Sequence, residues 1–332
     1  MDVGEGGAGR RLVIVDTDGG VDDAVAVIVA LKSESCDVLA LTAVAGNVGV
    51  DQAARNMSIL VQLFAKSGKR VPVFAGADRS LLGERSKTFV GHGANGLGDA
   101  DISAFINVDS SGSCPIESEH AVLALVRLSK EYSGKIELIA VGPLTNVALA
   151  QRLDPGFLGR LHSLTIMGGA VHARGNETAC AEFNIFADPE AAHIVLSSAD
   201  QVRMLIVARE PIVDSGIAWE MLDELSASGS RAGAFIVKIF ESYQRTVRHA
   251  VDKQKQALMY VFDAWALMAA LDPSVILESV IRPVHVELSG RFSRGLTIVD
   301  WDHKTDRKAA VTIAMRLDGA AIWQEIRRHC HL

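Results

Sequence analysis

The chain is poor in cysteine, and the few cysteines it has do not form a recognisable frame. Among 332 residues there are four, Cys36, Cys114, Cys180 and Cys330, and they lack the close pairing of zinc sites and disulfide-rich scaffolds. Scattered thiols of this kind are typical of a reducing compartment, so we expect a cytoplasmic protein without structural zinc or disulfides.

Two other features are also missing, a basic block and a long apolar run. The formal net charge is −7, which argues against a nucleic-acid partner. We see no apolar stretch long enough for a membrane span and no signal-peptide pattern, so we expect no membrane partner. With 49% hydrophobic residues the chain has enough apolar material for a large core, and a small-molecule ligand is the favoured partner.

Short runs of Val, Ile and Leu alternate with helix-like stretches. Continuous apolar runs of this length indicate parallel strands that are buried on both faces. We therefore predict an α/β fold, an open, mostly parallel Rossmann-like sheet flanked by helices. The predicted strands cover residues 12–15, 38–44, 71–74, 136–141, 163–167, 202–207, 284–288, 296–299 and 310–314.

The remaining segments predict a helical and loop cap on a single domain. Residues 76–117 are rich in Gly, Ser and Asp, which favours long loops, and residues 221–272 are mostly helical in pattern. We place one catalytic domain at 11–320 and a disordered amino-terminal extension at 1–10. The ending at 327–331 is interpreted as a frayed, solvated terminus.

Four aspartates fall within eight residues directly after the first apolar run. They are Asp16, Asp18, Asp22 and Asp23. Like charges beside a buried strand repel one another and lose hydration unless a cation lies among them. Oxygen ligands without nearby Cys or His favour Mg²⁺ or Ca²⁺, and such an ion activates water for attack.

A second polar segment, residues 175–184, alternates amides and carboxylates. Asn176, Glu182 and Asn184 offer both donors and acceptors, as a polyhydroxylated ligand such as a sugar requires. Polar residues also follow other predicted strands, among them Asn47, and Asp263 lies in the helical part. Ligands of open parallel sheets bind at the carboxyl ends of strands, so these groups predict one site.

At this level of detail the chain resembles the nucleoside hydrolases of the inosine-uridine preferring type. The motifs that carry the resemblance lie, in the family's order, at residues 16–23, 44–47, 142–146, 167–169, 181–184 and 188–192. The resemblance implies hydrolysis of the N-glycosidic bond of ribonucleosides to base and ribose through an oxocarbenium-like transition state. It also implies one Ca²⁺ per active site and a homodimer or homotetramer.

The resemblance assigns roles residue by residue. Asp18 would be both general base and Ca²⁺ ligand, and the other ligands would be Asp23, Asp263 and the backbone carbonyl of Val141. Asp16 would support them from behind. The ribose would be bound by Asp22, Asn47, Asn176, Glu182 and Asn184.

Two departures from the family pattern bear on this prediction. The usual Asp-Pro-Gly is Asp18-Gly19-Gly20 here, and the histidine that commonly precedes the aspartate of the helical part is Phe262. Because a phenyl ring donates no proton, His92 is the remaining candidate acid. Purine-specific members carry an aromatic residue at this place, so Phe262, with Tyr260 or Trp265 nearby, would stack on the base and favour purines slightly. Tyr243 is predicted to line the same pocket.

Two other functions remain open from the sequence. A haloacid-dehalogenase-type phosphohydrolase with Mg²⁺ also uses Asp-x-Asp after a first strand, although it leaves residues 176–184 without a role. A nucleoside-binding protein with reduced or lost turnover would keep the aspartates and is made conceivable by Phe262.

Overall fold

The fold is built around one large sheet with helices on both faces. The computed structural model describes residues 10–84, 90–106, 115–250, 258–306 and 309–331. Except for Arg10, the extension predicted to be disordered lies outside the described residues. The strands are β1 (Arg11–Thr17), β2 (Cys36–Ala43), β3 (Val73–Ala75), β4 (Ile116–Glu117), β5 (Ile136–Ala140), β6 (Ser163–Met167), β7 (Met204–Val207), β8 (Ile217–Ala218), β9 (Leu258–Met259), β10 (Ile276–Arg282), β11 (Val284–Val286), β12 (Thr297–Val299) and β13 (Val311–Leu317).

The nine strands of the main sheet run in the order β10-β13-β7-β6-β5-β1-β2-β3-β4. Every neighbouring pair is parallel except β10 with β13. The pairs β11–β12 and β8–β9 form separate antiparallel ribbons. The predicted open, mostly parallel sheet is confirmed.

The helices cover the two faces of this sheet. They are α1 (Val21–Lys32), α2 (Val50–Phe64), α3 (Ala121–Glu131), α4 (Thr145–Leu153), α5 (Phe183–Ala187), α6 (Pro189–Ser197), α7 (Arg209–Asp214), α8 (Met221–Ala227), α9 (Arg231–Ala250), α10 (Phe262–Leu271) and α11 (Gly319–His331). Strand β1 shows how the faces divide: Val13 and Val15 pack with α1, α2 and α10, whereas Ile14 packs with α3, α4 and α6. Both faces of the strand are buried, as its continuous apolar run predicted.

The apolar runs predicted the positions of the strands well, but the carboxyl terminus was interpreted wrongly. Each predicted strand overlaps an observed one, and 163–167 agrees at both ends. The interpretation of the carboxyl terminus as frayed and solvated is wrong, because α11 buries Trp323, Ile326 and Cys330 against the core. The apolar side chains of this helix recur at three- and four-residue spacing, a pattern that the polar ending had obscured.

Replacement of Trp323 tests whether α11 is part of the core. Its side chain is fully buried, so Trp323→Ala is expected to lower the free energy of unfolding by about 3–5 kcal/mol, measured by urea denaturation. The matched control is Phe292→Ala, because Phe292 is 80% exposed. Similar unfolding midpoints for the two variants would contradict this assignment.

No helix within the described ranges has both the length and the apolar content needed to cross a membrane.

Candidate active site at the carboxyl edge of the sheet

The order of the strands creates a crevice beside β1. The chain moves outward from β1 to β2, β3 and β4 and then returns to place β5 on the other side of β1. At such a switch point the loops after the two neighbouring strands separate, and ligands bind between them. Asp18 lies in the loop after β1, Asp22 and Asp23 lie in the first turn of α1 that follows, and the loop after β5 begins at Val141.

The turn after β1 requires glycine. Gly19 has φ +77°, and a Cβ there would lie 2.6 Å from the Cα of Ala53. The proline of the family pattern would have its φ fixed near −65°, so it would not fit this backbone. The turn leads directly into α1, whose first turn presents Asp22 and Asp23. There Asp23 Oδ2 accepts the Gly20 amide at 2.8 Å, as an acidic residue at the third helical position often does.

Asp18 is held by Asn47, which follows β2. Asp18 Oδ2 accepts the backbone amide of Asn47 at 2.8 Å, and Oδ1 accepts its side-chain amide at 2.9 Å. The same Asn47 side chain donates to Asp23 Oδ2 at 3.2 Å. Asp23 Oδ1 also accepts from the Thr17 hydroxyl and from the Asp18 amide. One amide side chain thus fixes two carboxylates relative to each other.

Asp16 lies behind this pair, fully buried. Its Oδ1 accepts from the Thr42 hydroxyl at 2.5 Å and from the Asn146 side chain at 2.8 Å. Asn146 also donates to the carbonyl of Ala43 and accepts from the amide of Ala77. Burial raises the pKa of Asp16 to about 7, and the two hydrogen bonds oppose that rise. The residue ties the ends of several strands together, in keeping with its predicted supporting place.

Three carboxylates converge in front of Asp18. Asp22, Asp23 and Asp263 each bring one oxygen within 4.8 Å of the others. Asp22 Oδ1 is buried and has no hydrogen-bond partner among the described residues. An oxygen-only set with a surplus of negative charge fits a hard divalent cation such as Ca²⁺ or Mg²⁺. These residues therefore fit the metal that the family resemblance implies.

Burial and mutual repulsion shift the protonation of the cluster. Burial holds the pKa of Asp263 well above its usual range, and the charges of Asp22, Asp23 and Asp18 add to the effect. Burial also raises the pKa of Asp18 well above its usual range, with Asp23 as the next cause. Burial and the charge of Asp23 raise the pKa of Asp22 to about 7. Each shift reflects the cost of placing several negative charges together out of water.

The carboxylate cluster overlaps the predicted ligand set in part. Asp23 and Asp263 belong to the cluster, but its third member is Asp22, whereas both oxygens of Asp18 accept hydrogen bonds from Asn47. The carbonyl of Val141 accepts the side-chain amide of Asn184 at 2.9 Å. The roles of Asp18 and Val141 as ligands stay predictions.

His92 lies beside the carboxylates. Its Nδ1 accepts the backbone amide of Val21 at 3.1 Å and lies 3.8 Å from Asp22 Oδ1. Because Nδ1 acts as acceptor, Nε2 carries the proton of the neutral ring. Burial lowers the pKa of His92 to about 4, although the charge of Asp23 opposes this. The Tyr243 ring is 5.9 Å from the His92 ring, so Tyr243 also adjoins this edge of the cluster.

The aromatic residues around Asp263 do not all face the site. Phe262 is partly buried, and its ring centre lies 6.0 Å from that of Tyr260. Trp265 is fully buried in the core, and its indole N–H donates to the Ser215 hydroxyl at 3.0 Å. The prediction that Trp265 could stack on a base is wrong, because its fully buried ring has no exposed face for a base to contact.

The polar segment before α5 is tied to the ends of β5 and β6. Glu182 caps α5 by accepting the amides of Asn184 and Ile185, and its Oε2 accepts the amide of Gly169 at 2.9 Å. Burial raises the pKa of Glu182 to about 7, and these backbone hydrogen bonds oppose the rise. The Asn184 side chain donates to the carbonyls of Val141 and Met167. Asn176 is exposed and accepts the amide of Phe183.

Most of the predicted site residues therefore meet at one place. Gly142 connects the two halves, because a Cβ there would lie 3.1 Å from the Cβ of Asp18. Asn176 contacts the start of α5 by accepting the amide of Phe183. Thr17 and Thr42, which also bind these carboxylates, were not predicted from the sequence. Their signal was position, because both lie at the carboxyl end of a strand.

This arrangement suits attack of water on an electrophilic carbon. It combines a fixed, buried carboxylate, a set of oxygens for a divalent cation, and amide and carboxylate groups for hydroxyl ligands. The surrounding negative charge also suits a transition state that develops positive charge.

Comparison with known proteins agrees with this chemistry. The family model described as "Inosine-uridine preferring nucleoside hydrolase" matches residues 13–324. A protein of that name from Crithidia fasciculata is 31% identical over 322 residues, which cover 94% of this chain and 95% of the relative. A pyrimidine-specific ribonucleoside hydrolase of Escherichia coli is 29% identical over 314 residues, 95% of each chain. A solved structure described as an inosine-guanosine nucleoside hydrolase is 32% identical, with a TM-score of 0.86 over 97% of this chain and 99% of the other.

Proposed function

The chain belongs to the inosine-uridine preferring nucleoside hydrolase family, a family of hydrolases acting on N-glycosyl bonds, and we propose that it is a Ca²⁺-dependent enzyme with a slight preference for purine ribonucleosides. The observation that carries the proposal is the convergence of Asp22, Asp23 and Asp263 beside the Asp18–Asn47 pair at the switch point of the sheet. Membership of this family speaks against the phosphohydrolase alternative.

Asp18 is proposed to take the proton from the attacking water. Its carboxylate is buried and held at both oxygens by Asn47, so its orientation is fixed before the substrate arrives. Asp23 and Asp263, with Asp18 and the Val141 carbonyl as predicted and with Asp22 beside them, would hold the cation. When bound, a divalent cation there supplies positive charge that fixes ribose hydroxyls and makes a nearby water more acidic.

The ribose is proposed to lie between the two loops of the crevice. Asp22 and Asn47 would contact it from the β1 and β2 side, while Glu182 and Asn184 approach from the α5 side. Asn176, on the segment leading to α5, would close over the sugar. Because the hydroxyls fix the sugar against the attacking water, a 2′-deoxyribonucleoside is proposed to be a poor substrate.

The leaving base is proposed to stack on Phe262, with Tyr243 and His92 at its edge. A phenyl ring cannot protonate the base, so activation would come from stacking and from a hydrogen bond donated by His92 Nε2. Homodimeric or homotetrameric assembly and a cytoplasmic location stay predictions.

A panel of inosine, adenosine, guanosine, uridine and cytidine, scored for ribose release, tests both the function and the base preference. We expect turnover with purines slightly ahead. Phe262→Ala is expected to lower kcat/KM for purines by about tenfold, more than for pyrimidines, because a purine loses the larger stacking contact. Phe292→Ala, which removes an exposed ring, is the control. Equal losses for all five bases would refute the stacking role.

The same panel decides between turnover and binding alone. Calorimetry that detects inosine binding in the presence of Ca²⁺, together with no ribose release after long incubation, would favour the nucleoside-binding alternative. Release of ribose from several members of the panel would exclude it.

A further inference from the structure

We propose that Glu210 is a positioning residue for the substrate segment, because it fixes the loop from which that segment starts. The inference rests on the proposed function, in which residues 176–184 bind the ribose. Glu210 lies in α7, just after the carboxyl end of β7, and no sequence motif singles it out.

The Glu210 carboxylate collects three backbone amides of the loop after β6. Oε2 accepts from Val171 at 2.9 Å, and Oε1 accepts from His172 at 3.0 Å and from Arg174 at 3.2 Å. Glu210 is 2% exposed, whereas His172 and Arg174 are exposed. A buried carboxylate therefore holds a surface loop through its main chain, and the His172 ring stacks on Trp301 with the ring centres 6.1 Å apart.

The loop adopts a conformation that needs such support. Ala173 has φ +57°, a left-handed conformation that is unfavourable for alanine. It lies between His172 and Arg174, whose amides both point at Glu210 Oε1. Convergence of the two amides on one oxygen fixes the chain on either side of Ala173.

Arg209 reinforces the same loop from the neighbouring position. Its amide donates to the carbonyl of Gly169 at 3.0 Å, and its guanidinium Nη1 donates to the carbonyl of Arg174 at 3.1 Å. The start of α7 thus contacts the loop at both ends. Adjacent residues supply a carboxylate for its amides and a guanidinium for its last carbonyl.

The loop leads directly to the proposed ribose contacts. Asn176 follows Arg174 by two residues, and Glu182 reaches back to accept the amide of Gly169 at 2.9 Å. Residues 169–184 are therefore anchored by two buried carboxylates, Glu182 within the segment and Glu210 outside it. Loss of Glu210 would loosen the loop that leads to Asn176, whose own hydrogen bonds to Ala181 and Phe183 remain, and would leave the Asp18 side of the site unchanged.

The test compares Glu210→Ala and Glu210→Gln with wild type by steady-state kinetics and amide hydrogen exchange. For Glu210→Ala we expect KM for inosine to rise about tenfold and kcat to change less than about threefold, because a binding contact is loosened and the general base is untouched. Exchange of the amides at 171, 172 and 174 should become at least about tenfold faster. Glu210→Gln keeps one acceptor oxygen, so its KM and its exchange rates should lie between those of wild type and Glu210→Ala.

Asp154→Ala is the matched control. Asp154 accepts the Gly156 amide at 3.1 Å and the Arg160 guanidinium at 2.9 Å, at the end of α4 and hence at the opposite edge of the sheet. The Asp154→Ala substitution should lower the melting temperature without changing KM or the hydrogen exchange of the amides at 171, 172 and 174. An unchanged KM in an active Glu210→Ala protein, or an equal rise in Asp154→Ala, would overturn the inference.

Failure of the proposed function would be visible separately. If wild-type protein releases ribose from no ribonucleoside, that function is refuted, and hydrogen exchange still tests the loop. Faster exchange in Glu210→Ala alone would then support the positioning role, and unchanged exchange would reject it.

Discussion

Asp18→Asn is expected to lower kcat for ribose release by about a thousandfold or more while the protein remains folded, because the carboxylate proposed to accept the proton of water is replaced by an amide. The substitution keeps the shape of the side chain in a fully buried place. Its effect should appear mainly in kcat, because the predicted sugar contacts of Glu182 and Asn184 are left in place.

The partners of Asp18 explain why the loss should be so large. Both of its oxygens accept hydrogen bonds from Asn47, which also donates to Asp23. An amide at position 18 would place its own N–H₂ group against one of the two Asn47 donors. The contact between residues 18 and 47 would therefore be lost together with the general base. Asp18→Ala should be at least as damaging, since it also leaves the Asn47 side chain without that acceptor.

The measurement is ribose release from inosine at saturating substrate and Ca²⁺, with circular dichroism to confirm the fold. Asp154→Asn serves as the control for a conservative change at a hydrogen-bonded aspartate away from the crevice. A kcat within about threefold of wild type for Asp18→Asn would reject the assigned base.

The sequence predicted the sheet because its strands are buried on both faces. A run such as residues 12–15 is continuously apolar and does not alternate between polar and apolar residues. Such continuous runs are typical of the buried parallel strands of α/β proteins. Helix α11 was harder to predict, because its buried residues Trp323, Ile326 and Cys330 are separated by charged residues such as Arg327 and Arg328. An amphipathic end segment resembles a solvated tail until its packing partners are known.

The site was predicted where motif and strand end coincide. Asp18, Asp23 and Asn47 stand directly after β1 and β2, so their meeting follows from the parallel topology. The contribution of Glu210 was not predictable, because its partners are backbone amides, and any sequence has those. The presence of Asp22 in the carboxylate cluster depends on side-chain orientation within one helical turn, which spacing alone does not determine.

Removal of divalent cations is the second change with a large expected effect. Asp22, Asp23 and Asp263 lie within 4.8 Å of one another, and among the described residues no Lys or Arg forms an ion pair with any of them. Buried charges of one sign without a counter-ion are strongly unfavourable, so a bound cation should stabilise the folded protein as well as its reaction.

Dialysis against EDTA is therefore expected to reduce ribose release by at least about a hundredfold and to lower the melting temperature, and added Ca²⁺ should restore both. Asp263→Asn keeps the shape of the side chain and removes one charge, so it should raise the Ca²⁺ concentration needed for half-maximal activity by about tenfold or more. Glu137→Gln, on β5 beside Arg11 and away from the cluster, is the matched control and should leave that concentration unchanged. If EDTA-treated protein keeps its rate and its melting temperature, the cluster does not hold a cation, and the protonated carboxyls would have to relieve the repulsion instead.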